Sequence, residues 1–316
     1  MNQLPCVIFA FDRPKLLEKT LENLREQKVD RLVVFIDGPR DSLDNENVEK
    51  CQSLAREVNW AEKELYFSEE NHGLSGLTGN IDKVFKEYRW AVFIEDDCLP
   101  MPGFYPFMRK ALEHYQFSDQ VFSIAGYQPI KSGYFRNYSK NLVSCTRFMC
   151  WGWATWQNRW NLIFPYQKEY TNLFENLRSI PEISGADLPI IAQHMAQGKI
   201  KESWDIKVAV ACMWLNMVHL IPAKGLILNS GLDRSGVHGS LSSWLRGKMF
   251  HNRNVVLALP NDLDWLDDLS INDDYMQELQ KWIAKERRFS LQWHKVGLIR
   301  EDLFHLKKRF EDRTHE

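Results

Sequence analysis

The residues best suited to chemistry lie together at 95–97. Glu95-Asp96-Asp97 follows the apolar run Ala91–Ile94. Three adjacent carboxylates repel one another and are costly beside a buried strand unless a cation compensates them. Carboxylates with few other ligands, leaving room for water and phosphate oxygens, suit Mg²⁺ or Mn²⁺. The plain alternative is a solvated acidic turn. Trp204-Asp205 stands before an apolar helical stretch. Asp205 there is either an N-cap or a general base that takes the proton of an acceptor hydroxyl. The loop Gly231–Gly239 contains His238 among small residues that let backbone approach a ligand. His72, in Asn71-His72-Gly73, is a weaker candidate of the same kind. Trp151, Trp153, Trp156 and Trp160 place four tryptophans within ten residues. Their rings suit the C–H faces of sugars, or simply a core.

These residues need a scaffold, and the hydrophobic pattern supplies one. Cys6–Phe11, Leu32–Ile36, Leu65–Phe67, Ala91–Ile94 and Val121–Ala125 are short apolar runs without alternation, as expected of strands covered on both faces. Helical spacing marks Pro14 onward, 44–58, 77–88 and 104–115. Such alternation predicts an α/β fold with a mainly parallel sheet flanked by helices. Ligands of these sheets sit beyond the carboxyl ends of the strands. Asp12-Arg13, Asp37 and Glu95-Asp96-Asp97 all fall at strand ends, which points to one shared site. Further on, the pattern predicts a strand near Leu142–Cys145, a helix over 206–218 and a strand at Leu226–Leu228. Residues 260–274 read as an Asp-rich connector. Helical spacing from Phe289 to Phe310 predicts a C-terminal amphipathic helix.

Composition narrows the class. The chain of 316 residues is 44% hydrophobic and 26% charged, which fits a globular protein and excludes general disorder. Its 40 basic and 42 acidic residues leave a net charge of −2, which argues against a nucleic-acid partner. Residues 281–310 nonetheless carry nine Lys/Arg against three acids. A basic face opposite Trp and Phe suits packing on the catalytic domain, dimerisation or peripheral membrane contact. The six cysteines lack metal-site spacing and read as reduced thiols. No signal peptide or spanning segment is evident, so a cytoplasmic location is expected, with the inner membrane face as an option. No GxxxxGK[ST], GxGxxG after the first strand, GxSxG or HExxH occurs.

The order of these residues resembles the GT-A fold glycosyltransferases, most closely the N-acetylglucosaminyltransferase I type and its bacterial relatives, some labelled hemolysin-like. The resemblance covers roughly residues 4–240 and is most specific over Val92–Tyr105. It implies a donor site containing Asp12, Arg13, Asp37, Glu95, Asp96, Trp153 and His238. Asp37 would read the base and Gly152-Trp153 would lie in the acceptor and sugar region. Asp97 would be the ligand of Mn²⁺ or Mg²⁺, and Asp205 the catalytic base. The late Gly236-Val237-His238-Gly239 is one residue shorter than the family's loop. The implied activity is metal-dependent, inverting transfer from a nucleotide sugar, UDP-linked, to a glycan or lipid-linked saccharide. A catalytic domain over 1–240 and an extension over 241–316 are expected. A nucleotidyltransferase on a similar sheet is the competing enzyme reading, although Phe11–Pro14 is not its Gly-rich basic loop. A non-catalytic carbohydrate-binding relative is the third.

Overall fold

Ten short strands carry the structure, a computed structural model that describes residues 3–73, 76–168, 188–199, 203–231, 249–252, 254–255, 263–286 and 288. They are β1 (Cys6–Ala10), β2 (Arg31–Ile36), β3 (Glu62–Phe67), β4 (Trp90–Glu95), β5 (Cys98–Pro100), β6 (Val121–Ala125), β7 (Leu142–Cys145), β8 (Trp153–Trp156), β9 (Val218–Pro222) and β10 (Ile227–Asn229). Eight form one sheet in the order β3-β2-β1-β4-β8-β6-β9-β7. The pairs β3–β2, β2–β1, β1–β4 and β6–β9 are parallel. The antiparallel pairs arise because β8 is inserted between β4 and β6 and β7 lies against β9. β5 and β10 form a separate antiparallel pair.

The missing alternation has its expected cause. Cys6, Ile8, Val92 and Ile94 face one side, with α1 (Pro14–Glu26), α2 (Asn45–Glu57) and α4 (Phe104–Tyr115). Val7, Ala91 and Phe93 face the other, with α3 (Gly76–Glu87), α5 (Gln157–Lys168) and the helix Trp204–Trp214. Successive strand residues point to opposite faces, so both sets must be apolar. Pro14 begins α1, and Leu17, Leu21 and Leu24 supply its buried stripe.

The sequence pattern misses β8 and α5. All four residues of β8 are buried, and a run that short shows no period. It also carries the helix over 206–218 too far. The helix ends at Trp214, where Asn216 takes a left-handed φ of 53°. Asn216 N–H donates to the Met213 carbonyl at 3.0 Å and Met217 N–H to Cys212 at 2.8 Å, a Schellman stop. β9 starts immediately afterwards. The Asp-rich stretch is no bare linker, since Trp265 stacks on His114 with ring centroids 5.0 Å apart. The helix over 273–286 buries Tyr275 and Leu279 against Val143, Cys145 and Ile221. The amphipathic pattern from Phe289 onward lies outside the described residues, as does His238.

His219 on β9 is fully buried, with its Nδ1 2.9 Å from the Ser123 hydroxyl. Burial, helped by the charge of Arg147, pulls its pKa down to about 3 from 6.5. The neutral ring is therefore the native form. Its contribution is complete above about pH 6.5 and is lost as pH falls below that value, at up to about 1.4 kcal/mol per pH unit. His219→Gln is expected to flatten the loss of stability on acidification from about pH 7 to about pH 5. Urea denaturation across that range tests it; an unchanged slope would assign the acid sensitivity elsewhere.

Candidate active site

β1 and β4 are parallel neighbours, with Phe9 opposite Glu95. Their carboxyl ends therefore deliver Asp12-Arg13 and Glu95-Asp96-Asp97 to the same edge. β2 adds Asp37, whose N–H donates to the Ala10 carbonyl at 3.0 Å. Three of the expected groups thus meet at one sheet edge, where parallel-sheet ligands bind.

The acidic triplet divides into three environments. Asp96 is 1% exposed. Its carboxylate accepts from Arg13 Nη2 and, at 3.4 Å, from Phe11 N–H. Its carbonyl accepts from Thr20 Oγ1 at 3.1 Å, and its N–H donates to the Phe9 carbonyl at 3.0 Å. Asp96 thereby fastens the end of β1 and the start of α1 to the end of β4. Burial pushes its pKa up to about 7 against the opposing pull of Arg13. Glu95 is pushed to about 8, by burial first and then by Asp97 and Asp96, with Asp205 contributing. Asp97 accepts from Arg13 Nη1 at 2.7 Å on one oxygen. Among the described residues, its other oxygen accepts from the Cys98 thiol at 3.5 Å.

The β5–β10 pair brings a second segment over Asp97. Ser230 N–H donates to the Asp97 carbonyl at 2.7 Å. A Cβ on Gly231 would fall 2.0 Å from Asp97 Oδ2, so only glycine fits there. The loop containing His238 thus departs from directly above the acid, and His238 itself lies outside the described residues.

Asp205 is the second residue of the helix Trp204–Trp214, and Ser203 takes the N-cap position. The cap reading of Asp205 is therefore replaced by a place in the first turn, where a negative side chain complements the helix dipole. The Ser203 hydroxyl donates to its carboxylate. Asp37 ties down the neighbouring turn instead of standing free. It accepts from the N–H groups of Gly38, His72 and Gly73 at 3.1, 3.0 and 2.8 Å. Asp12 pairs with Arg40 at 3.0 Å.

Trp153 corrects an expectation of sugar contact. It is 1% exposed, stacked on Phe93 at 4.7 Å and edge-on to Phe148 at 5.0 Å. These rings and its burial make it part of the core between β4 and the helix Trp204–Trp214. Gly152 before it has φ of 66°, and a Cβ there would meet Ile227 at 2.5 Å. Trp156 and Trp160 are buried as well. Trp151 is half-buried beside Tyr127 and His251.

Two site residues escape the sequence reading. Arg40 sits 4.9 Å over the Phe11 ring and joins Asp12 to Asp44. The turn Asp37-Gly38-Pro39 was the signal for it. Cys150 is held well above the usual thiol pKa by burial first and then by the charges of Asp205 and Glu95. Nothing in the sequence marks it. Among the described residues, no three His, Cys, Asp or Glu side chains form a closed metal cage.

A mainly parallel α/β sheet with acids and an arginine gathered at its carboxyl edge is consistent with the GT-A fold. Residues 6–179 match the family model described as Glycosyl transferase family 2, and the chain belongs to that family. No curated protein matches the chain. Among solved structures, it is similar to the mannosyltransferase PcManGT from Pyrobaculum calidifontis in complex with GDP-Man and Mn²⁺ (16% identity, 59% of this chain, 49% of that one, TM-score 0.37). It is also similar to S. aureus TarS 1-349 (13%, 73%, 61%, 0.40) and to a UDP-glucose pyrophosphorylase complexed with UDP-glucose (12%, 76%, 96%, 0.40). The matched region thus spans about half the length of the mannosyltransferase.

Removing Arg13 leaves a buried acid without its partner. Arg13→Ala is expected to destabilise the fold by about 3–5 kcal/mol. Adding Asp96→Asn should recover part of that loss. Chemical denaturation of the two single variants and the double variant measures the coupling; additive effects would show that the pair does not fasten β1 to β4.

Proposed function

We propose that this glycosyltransferase is metal-dependent and inverting, with Asp97 as the protein ligand of Mn²⁺ or Mg²⁺ and Asp205 as the base. The observation that carries this reading is the arrangement of Glu95 and Asp205. They belong to distant parts of the chain, yet Trp153 packs on both Phe93, two residues before Glu95 on the same face of β4, and Trp204, the neighbour of Asp205, with ring centroids 4.7 and 6.1 Å apart.

The donor set fits a divalent cation. Among the described residues, the carboxylates of Asp96 and Asp97 pair with one guanidinium, that of Arg13, Glu95 has no ion pair, and the second Asp97 oxygen meets a thiol. One carboxylate plus substrate phosphate oxygens is a common way to hold Mg²⁺, so a closed protein cage is unnecessary. The cation supplies positive charge that stabilises the departing diphosphate. Arg13 and Arg40 lie where phosphate oxygens would be drawn, and a guanidinium binds them in a fork. Asp12, Asp37 and Glu95 shape the donor side, with Asp96 positioning Arg13; His238, outside the described residues, is a donor-side candidate by the family resemblance alone.

Asp205 accepts the proton of the acceptor hydroxyl as that oxygen attacks the anomeric carbon. The bond from that carbon to the diphosphate breaks on the opposite face, and the diphosphate leaves with the electron pair. Single displacement inverts the anomeric centre, through an oxocarbenium-like transition state by analogy with glycoside chemistry. The narrower likeness to the N-acetylglucosaminyltransferase I type rests first on Val92–Tyr105, and then on Gly152-Trp153 and Trp204-Asp205. It favours a UDP-linked hexose or N-acetylhexosamine and a glycan or lipid-linked acceptor. No helix among the described residues is long and apolar enough to cross a membrane.

A thermal-shift panel of UDP, GDP, CMP and dTDP, each with and without Mn²⁺, tests the donor class through stabilisation by mass action. A Mn²⁺-dependent shift specific to UDP is the expected result, and no shift with any nucleotide would overturn the reading. Asp97→Ala should abolish the Mn²⁺-dependent part of nucleotide binding, measured by calorimetry. Asp205→Asn should keep donor binding while transfer falls by roughly 10²–10⁴-fold. Normal turnover in that variant would move the base elsewhere.

A further inference from the structure

Two asparagines beside the segment over Asp97 exchange a closed pair of hydrogen bonds. On one side β10 pairs with β5, where Asn229 is opposite Cys98 and Ser230 N–H donates to the Asp97 carbonyl at 2.7 Å. Antiparallel bonding alternates along a strand, so the N–H and C=O of Asn229 point away from β5. Asn229 is buried, and both groups would be costly without partners. Asn252 supplies both. Its Oδ1 accepts from Asn229 N–H at 2.9 Å, and its Nδ2 donates to the Asn229 carbonyl at 2.7 Å. One side-chain amide thus stands where a third strand would. Asn229 passes the constraint on, since its own Oδ1 accepts from Gly231 N–H at 3.0 Å. Gly231 in turn lies so close to Asp97 Oδ2 that no Cβ fits between them.

We propose that Asn252 is a positioning residue for the metal site, holding the backbone of residues 229–231 against Asp97 so that its carboxylate keeps one orientation. The inference rests on the reading of Asp97 as the metal ligand. Oδ2 of that carboxylate is bounded by Arg13 and Gly231, and Oδ1 by the Cys98 thiol. Without Asn252, Asn229 is released on its outer side, Gly231 can withdraw, and the carboxylate gains room to rotate. Loss of a group that orients a metal ligand weakens the metal's binding. Asn252 is itself held. Its φ of 55° is a left-handed value that asparagine tolerates. On the same segment, Trp282 Nε1–H donates to the Phe250 carbonyl at 3.1 Å, and the Tyr127 hydroxyl lies 2.7 Å from His251 Nδ1. The helix over 273–286 therefore anchors the segment that carries Asn252. Asn252 lies beyond the residues 6–179 matched by the family model and beyond the catalytic domain expected over 1–240. Later chain thus sets the geometry of the acidic edge.

Asn252→Gly keeps the left-handed backbone and removes both bonds. Calorimetric titration with UDP in the presence of Mn²⁺ is expected to show affinity roughly tenfold weaker than in the unaltered protein. The electron paramagnetic resonance spectrum of Mn²⁺ in the complex with UDP should change as well, because its ligand no longer holds one orientation. Asn254→Ala is the structural control. It removes the bond from Asn254 Nδ2 to the Ala223 carbonyl, 2.8 Å long, on the same segment. That variant should lose stability to urea with affinity and spectrum unchanged. Should Asn252→Gly fail to fold, Asn252→Asp carries the same test, since it still accepts from Asn229 N–H and loses the bond to its carbonyl. Unchanged affinity and spectrum in the Asn252 variant, or an equal loss in Asn254→Ala, would overturn this inference alone. No Mn²⁺-dependent UDP binding in the unaltered protein would overturn the metal reading, and this inference with it.

Discussion

Arg13 reaches from the first turn of the chain to Asp96 and Asp97, 83 and 84 residues later. This guanidinium is the contact on which the catalytic edge depends. Asp96 is too buried to stand as an uncompensated acid. With Arg13 in place, it accepts from the Phe11 backbone while its carbonyl takes the Thr20 hydroxyl. The β1–α1 corner and the β4 terminus are thereby held as one unit. Asp97 can then be presented at the edge while Asp96 is buried beneath it. The same guanidinium offsets part of the triplet's repulsion and leaves the rest for a ligand.

The aromatic region carries structure more than recognition. Trp153 lies among Phe93, Phe122, Phe148, Trp160 and Trp204, a block that joins β4, β6, β8, α5 and the helix of Asp205. Trp204 immediately precedes Asp205 and packs on Phe148. Core rings therefore fix the origin of the helix that carries Asp205, the proposed base. Rigidity of this kind suits an acid that must meet a hydroxyl within hydrogen-bond reach.

The far edge of the sheet is closed by later chain. Residues 263–286 bring Trp265 onto α4 and Tyr275 and Leu279 onto β7 and β9. The Tyr115 hydroxyl accepts from Leu266 N–H at 2.9 Å, joining α4 to this stretch. An acidic composition concealed those apolar anchors, because charge dominates the reading of a stretch in which only every third or fourth residue packs.

Local pattern was sufficient for β1, β2, β4, β6 and the helices α1 to α4. Each is an apolar run or stripe whose period is written in neighbouring residues. The chemistry at 95–97 was legible for the same reason, since three carboxylates after a buried strand are anomalous wherever the chain goes. Tertiary structure decided the rest. β8 has no period of its own and becomes a strand only because β4 and β6 accept it. Trp153 is a sugar platform by composition and a core residue by packing. The division of Glu95, Asp96 and Asp97 into different environments follows from Arg13. Periodicity is a property of adjacent residues, whereas burial and charge compensation depend on partners far along the chain.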